Sequence, residues 1–142
     1  MPDYCSGSLP SLYLGSRGSI PLFGFMSNIK VKPWGYEVLI EKNDKYVIKH
    51  IIINAGHRLS LQYHERKMET LMLISGPGYM ICQDEKDGTL YKLLFDKNTS
   101  KTVRPGSVHR LGAEVTGDVV FLEVSTPELD DVVRLEDDYK RV

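Results

Sequence analysis

From residue 29 onward the chain is a succession of short β-rich runs separated by turn residues, with no convincing helical period and no internal repeat. The runs are Tyr36 to Glu41, Tyr46 to Ile53, Leu59 to Tyr63, Thr70 to Ile74, Gly78 to Gln83, Leu90 to Phe95, Lys101 to Arg104, Val108 to Leu111 and Val119 to Val124. Between them stand segments such as Asn43 to Lys45, Ser75 to Gly78, Asp84 to Thr89 and Pro105-Gly106, which carry the Gly, Pro, Asn and Asp that turns require. Asp87-Gly88 is the strongest hairpin signal among them. So many short strands must protect their edges, and a sandwich or jelly-roll barrel is one of the few ways to do it. The tail from Pro127 to Val142 is acidic up to Lys140 and Arg141, and is expected as a short helix or an arm.

The 142 residues, 42% of them hydrophobic, suffice for one ordinary core and are too few for two. A single domain is expected over residues 29–142, preceded over 1–28 by an extended arm or leader rich in Gly, Ser and Pro. Its apolar stretch is broken by Arg17 and two prolines, and no basic residue precedes it, so it does not read as a signal sequence; Met26 would serve as an alternative start. No stretch reaches the roughly 20 apolar residues of a membrane span. With 18 basic and 19 acidic residues there is no electrostatic footprint for nucleic acid or an anionic membrane. Cys5 and Cys82 stand far apart and in no metal or redox spacing, which points to a reducing, cytoplasmic setting.

The chemistry concentrates in two stretches, Leu59 to Glu69 and Arg104 to His109. A strand sends alternate side chains to one face, so Gln62 and His64 point the same way while Leu61 and Tyr63 point the other. Glu69 follows a short turn, and His109 would arrive from another strand. Two imidazoles, a carboxylate and a weak oxygen donor form a mixed N/O set suited to one divalent metal, Zn before Mn, Fe or Ni, with room for water or substrate. Taken singly, each His also reads as a half-buried side chain satisfied by a neighbouring strand, and Gln62 as part of a polar network.

These two stretches resemble the motifs of the cupin superfamily. Gly56, His64, Glu69 and Gly76 match the first motif; Gly106 and His109 match the second in spacing, with Pro105 one place late. Pro33-Trp34-Gly35, Ser60-Leu61-Gln62, Glu123-Val124 and the tail from Asp130 to Arg141 are similar to the C-terminal isomerase domain of type II mannose-6-phosphate isomerases, over roughly residues 30 to 141. The resemblance implies an all-β, single-domain double-stranded β-helix (jelly-roll) barrel and a metal at Gln62, His64, Glu69 and His109. The nucleotidyltransferase activity of the bifunctional members is not carried over. One departure bears on function: where the family has the second His of its His-x-His pair, this chain has Arg66, whose guanidinium has no lone pair for a metal.

The remaining candidates divide by chemistry. Glu123 lies in the apolar run Val119 to Val124, where burial raises a carboxyl's pKa toward that of a general base; its bland alternative is an ion pair with Arg110 or Arg134. Arg110 and Lys67 are the other catalytic candidates. Arg66, Arg134 and Lys49 are candidates for holding a phosphate, although Arg66 also reads as a rim salt bridge with Glu65 or Glu69. Trp34 is expected as a packing anchor. The function these residues imply is a metal-dependent sugar-phosphate isomerase interconverting mannose 6-phosphate and fructose 6-phosphate. The alternative is a non-catalytic sugar- or metabolite-binding cupin whose metal site has degenerated. By analogy with cupins that pair through edge strands, a homodimer is expected.

Overall fold

A computed structural model describes residues 28–142, so the arm expected over 1–28 lies, Asn28 aside, outside the described residues. Those residues form eleven strands and no helix: β1 Ile29–Lys32, β2 Gly35–Lys42, β3 Val47–Ile53, β4 Leu61–Tyr63, β5 Glu69–Ser75, β6 Gly78–Gln83, β7 Leu90–Leu94, β8 Ser100–Val103, β9 His109–Ala113, β10 Val119–Ser125 and β11 Val133–Glu136. All pair antiparallel, in a six-stranded sheet of order β1-β2-β3-β10-β5-β8 and a five-stranded sheet of order β11-β4-β9-β6-β7.

The order follows from one hairpin. Asp87-Gly88, with Gly88 at φ +74°, turns β6 back onto β7. Outward from it the chain pairs in nested fashion, β5 with β8, β4 with β9 and β3 with β10, and successive pairs fall in alternate sheets. That is a long antiparallel ribbon rolled on itself, the double-stranded β-helix that the resemblance to cupins implied. Gly76 turns β5 into β6 at φ +87°; a Cβ there would lie 2.0 Å from the Asp118 carbonyl oxygen, so only glycine fits.

Between the sheets the inward positions form one core. Trp34, Ile51, Ile53, Leu71, Leu73, Met80, Leu111, Val119 and Phe121 are all almost wholly buried, and Cys82 joins them as a free thiol. Trp34 is thus a packing anchor, as expected. Phe95 stands edge-on to Phe121 with ring centroids 5.2 Å apart, an arrangement favoured by the ring quadrupoles.

The sequence pattern missed two strands. Ile29–Lys32 is too short and too basic to read as a strand, yet it pairs with β2 through Val31↔Tyr36. The tail forms neither helix nor free arm: β11 pairs with β4 through Val133↔Tyr63 and Arg134↔Gln62. Beyond it, the Asp137 carboxylate accepts hydrogen bonds from the Arg141 backbone N–H at 2.8 Å and from its guanidinium at 2.8 and 2.7 Å. No helix of the described residues is long and apolar enough to cross a membrane.

Two outcomes follow from the packing. Phe121→Ala removes the ring at the centre of the core and should cost about 3–5 kcal/mol in a urea unfolding titration. The Arg141 hydrogen bonds hold the Asp137 carboxyl down, at about 2, below its ordinary 3.8. A depressed carboxyl stabilises fully above its unfolded value and loses that contribution as pH falls through the folded value. Amide exchange at Arg141 should therefore stay slow down to about pH 4 and accelerate toward pH 2 relative to its intrinsic rate, a transition absent in Asp137→Asn.

Candidate metal and substrate site

Glu69 opens β5 on the inward face of the six-stranded sheet, in register with Ser125 of β10 and Val103 of β8. Opposite it, β9 presents His109, paired across the ladder with Gln62 of β4. Just past β4 the backbone turns, and His64 enters from that turn. His64, Glu69 and His109 are all buried, and one potential ligand atom from each lies within 4.8 Å of the others. The Nε2 atoms of His64 and His109 approach the same Glu69 oxygen, at 3.5 and 2.9 Å.

Backbone carbonyls orient both rings. His64 Nδ1 donates to the Asp131 carbonyl at 2.5 Å, and His109 Nδ1 donates to the Ser107 carbonyl at 3.0 Å. With the Nδ1 protons committed there, both Nε2 atoms face the Glu69 carboxylate, and each lacks any other hydrogen-bond partner. Lone pairs directed at a carboxylate repel it unless a cation, a shared proton or a metal ion lies between them. The donor set and its spacing therefore fit a divalent ion.

The turn carrying His64 is fastened to the tail by one side chain. The Asp131 carboxylate accepts the backbone N–H groups of Glu65, Arg66 and Lys67 at 3.0, 2.7 and 2.7 Å. Nothing in the sequence pattern marked Asp131, which reads there as one acid among several in a solvated tail. Fixing this turn sends Lys67 inward, where it is buried, and leaves Arg66 exposed.

Lys67 Nζ stands 2.6 Å from Glu69 and 3.7 Å from Glu123. Burial opposes its charge, but the Glu123 and Glu69 carboxylates outweigh that and hold the ammonium's pKa above its ordinary value. Burial likewise pushes Glu69 upward, yet the imidazoles of His109 and His64, with Lys67, keep it well below the usual carboxylate range. Glu123 behaves differently. Burial first, and the Glu69 charge second, push it up to about 7, against the pull of Lys67 and Lys49.

A cavity of about 410 Å³ adjoins the site, with Gln62, His64, Lys67, Glu123, Lys49 and Arg134 among its lining residues. A second, of about 390 Å³, reaches His109 from the other side, past Cys82 and Arg104. The sequence candidates Lys67, Glu123, Lys49 and Arg134 thus meet His64 and Gln62 at the first cavity. Gln62 Oε1 accepts the Ser60 hydroxyl at 2.6 Å. Lys32 and Arg141 line the same cavity; Lys32 was not singled out by the sequence pattern, which read no strand there.

Two candidates lie elsewhere. Arg110 follows His109 on β9 and so faces away from it; buried, it donates to the Glu136 carboxylate and carbonyl, both at 3.1 Å. Arg66 is not on the wall of either cavity, and its expected rim pairing with Glu69 does not form, because Lys67 takes that place. The expected pairing of Glu123 with Arg110 or Arg134 gives way to Lys67 in the same manner. Removing Lys67 would leave two carboxylates buried without their cation. Lys67→Met should therefore destabilise the protein by about 3–5 kcal/mol in chemical denaturation, and a second change, Glu123→Gln, should recover part of the loss.

Comparison with known proteins gives the chain's family and fold. The family model described as mannose-6-phosphate isomerase C-terminal matches residues 26–137. The alginate biosynthesis protein AlgA of Pseudomonas aeruginosa is 32% identical over 113 residues, covering 78% of this chain and 22% of that protein. A mannose-1-phosphate guanylyltransferase of Escherichia coli is 33% identical over 114 residues, covering 78% and 23%. The chain thus spans about a fifth of the length of these relatives. Among solved structures, the capsular polysaccharide assembling protein CapF of Staphylococcus aureus superposes with a TM-score of 0.67 at 20% identity, covering 77% of this chain and 34% of that one. A double-stranded β-helix protein of Klebsiella pneumoniae superposes at 0.61 and 15% identity, covering 80% and 95%. Oxalate decarboxylase of Bacillus subtilis, which has Mn(II) centres, superposes at 0.66 and 16% identity, covering 78% and 31%. The structural likenesses carry the fold and the family match carries the lineage: this chain belongs to the mannose-6-phosphate isomerase C-terminal family and folds as a cupin.

Proposed function

We propose that the chain is a metal-dependent sugar-phosphate isomerase interconverting mannose 6-phosphate and fructose 6-phosphate. The observation that carries this reading is the meeting at Glu69 of the buried His64 and His109 Nε2 atoms, which have no other partner, beside a second carboxyl, Glu123, pushed up to about 7. His64, Glu69 and His109 would hold the ion, with Gln62 as a weak fourth donor. Zn suits the set best, and Mn, Fe or Ni are the other candidates. Held by these residues, such an ion would supply the positive charge that polarises a substrate's carbonyl and hydroxyl oxygens.

Aldose–ketose interconversion moves one proton from C2 to C1 through an enediol, while O1 gains a proton and O2 loses one; no co-reactant is consumed. Glu123 is partly ionised at neutral pH, so it can take the C2 proton and return it to C1. Lys67 positions that carboxyl. At the cavity wall, Lys49 and Arg134 are the phosphate partners, joined by Lys32 and Arg141. Arg66 and Arg110 take no part in this scheme. The cytoplasm is the compartment in which Cys82 would stay a free thiol.

A second reading rests on a specific contact. Lys67 Nζ, 2.6 Å from Glu69, already supplies a positive charge beside the triad, and Arg66 has replaced a family ligand. This is the pattern of a sugar- or metabolite-binding cupin that has lost its metal. Elemental analysis with a coupled isomerase assay separates the two. The isomerase should carry about one metal ion per chain and turn over mannose 6-phosphate, and Glu123→Gln should lower kcat by ~10²–10⁴-fold with the metal content unchanged. Substoichiometric metal and no turnover after reloading with Zn, Mn, Fe or Ni, together with thermal stabilisation by the sugar phosphate, establishes the binding protein instead.

A further inference from the structure

One carboxylate stands among the cations that line the first cavity, and the reaction scheme makes no use of it. On β2, Glu37 is paired with Ile51 of β3, whose side chain belongs to the core, so Glu37 shares the inward face. There it spans two lysines from the neighbouring strands. Lys32 Nζ lies 3.7 Å from Glu37 Oε1, and Lys49 Nζ lies 3.4 Å from Oε2. The three side chains are 15–17% exposed, and all three line the cavity.

The lysines are held without being saturated. A charge-assisted N–H···O bond is about 2.7–2.9 Å long, so both contacts are loose. An ammonium has three N–H donors, and donors therefore remain for a ligand. Burial pulls the Lys32 ammonium below its ordinary value; Glu37 opposes this, while Lys30, Lys49 and Arg141 add to it. These cations thus act on one region, and Glu37 is the anion placed among them. Arg141 is matched separately by Asp137 at 2.7 Å. Arg134 lines the cavity with a buried Nε that has no hydrogen-bond partner among the described residues. Of the other charges on the wall, Lys67 is engaged by Glu69 and Glu123, and Asp131 by three backbone N–H groups. Lys30 and Asp130, both exposed, offset each other.

We propose that Glu37 is a specificity-determining residue that matches this wall to one phosphate monoester and disfavours a diphosphate. The proposal rests on reading the wall as a phosphate site, and does not depend on isomerisation. Two ammoniums less one carboxylate leave a single positive charge, and Arg134 adds a second. A phosphate monoester carries about −1.5 to −2 at neutral pH, which that pair of charges meets. A diphosphate brings a further negative charge, and the cation that would meet it is already taken by Glu37. A carboxylate set among cations is a repulsive element, and it discriminates between anions by their charge.

The test is calorimetric titration of the full chain, without added divalent metal, with inorganic phosphate, mannose 6-phosphate, pyrophosphate and uncharged mannose. Wild type should bind the two monophosphates at least as tightly as pyrophosphate. Glu37→Gln keeps the shape and removes the charge. It should tighten pyrophosphate by about tenfold or more, with a smaller gain for the monophosphates and none for mannose, so that the preference reverses. Glu37→Asp keeps the charge and should keep the wild-type order. A residue that only supports the fold would instead weaken every ligand together in Glu37→Gln. Thermal unfolding followed by circular dichroism checks that both variants fold, and the wild-type order is decisive even where one does not. The proposal is overturned by a wild type that prefers pyrophosphate or binds no phosphate, and by Glu37→Gln with an unchanged order or with weaker binding of both kinds of anion. Should these orders hold while mannose 6-phosphate is not turned over, the isomerase reading fails and the role of Glu37 stands.

Discussion

Glu69 sits where water cannot solvate a carboxylate, and most of the site can be understood as the answer to that cost. A buried anion must be met by cations or by hydrogen-bond donors, or it takes up a proton. Here His64, His109 and Lys67 converge on it from three directions. Each is delivered by a different part of the chain: His109 by β9, His64 and Lys67 by the turn after β4. The rolled ribbon makes this possible, because it lays β4, β5 and β9 around one interior although forty residues separate Glu69 from His109.

One ammonium serves two carboxylates, and the inequality between them has chemical consequences. Lys67 is closer to Glu69, which also has both imidazoles; Glu123 keeps the longer contact and feels the charge of Glu69 as repulsion. The two acids are thereby driven apart in pKa. Such a division yields one permanent anion, fit to hold a cation, and one carboxyl that can exchange a proton near neutrality. The same principle explains why Arg66 is tolerated: with its backbone N–H and those of Glu65 and Lys67 bound by Asp131, its side chain is directed to solvent and Lys67 takes the inward place.

The six-stranded sheet carries the charged site and part of the core on one face. Its inward side combines an apolar floor of Ile51, Leu71 and Phe121 with a charged quarter of Lys49, Glu69 and Glu123. Period-two alternation on β3, on β10 and on β5 from Glu69 to Leu73 makes this division possible, since residues one apart in sequence lie on opposite sides of the sheet.

Most of the strands were legible in the sequence because turn chemistry is local: Asp87-Gly88, Ser75 to Gly78 and Pro105-Gly106 mark reversals wherever they occur. Alternation and a short turn set Gln62, His64 and Glu69 near one another, and the resemblance to the cupin motifs added His109 to the set. Strands β1 and β11 were not legible, because neither has an apolar run of its own and each exists through a partner, β2 for one and β4 for the other. The same limit governs the charges. Sequence placed Glu123, Lys67 and Arg110 alike as candidates, yet only packing decided that Lys67 turns inward to both acids while Arg110 faces Glu136 on the far side of β9. Turn chemistry and periodicity thus determined an all-β chain of short strands, and the motif resemblance its barrel and candidate ligands; which cation neutralises which carboxylate was decided by tertiary structure, because electrostatic partners are chosen by distance and burial in the folded chain, and neither is a property of neighbouring residues.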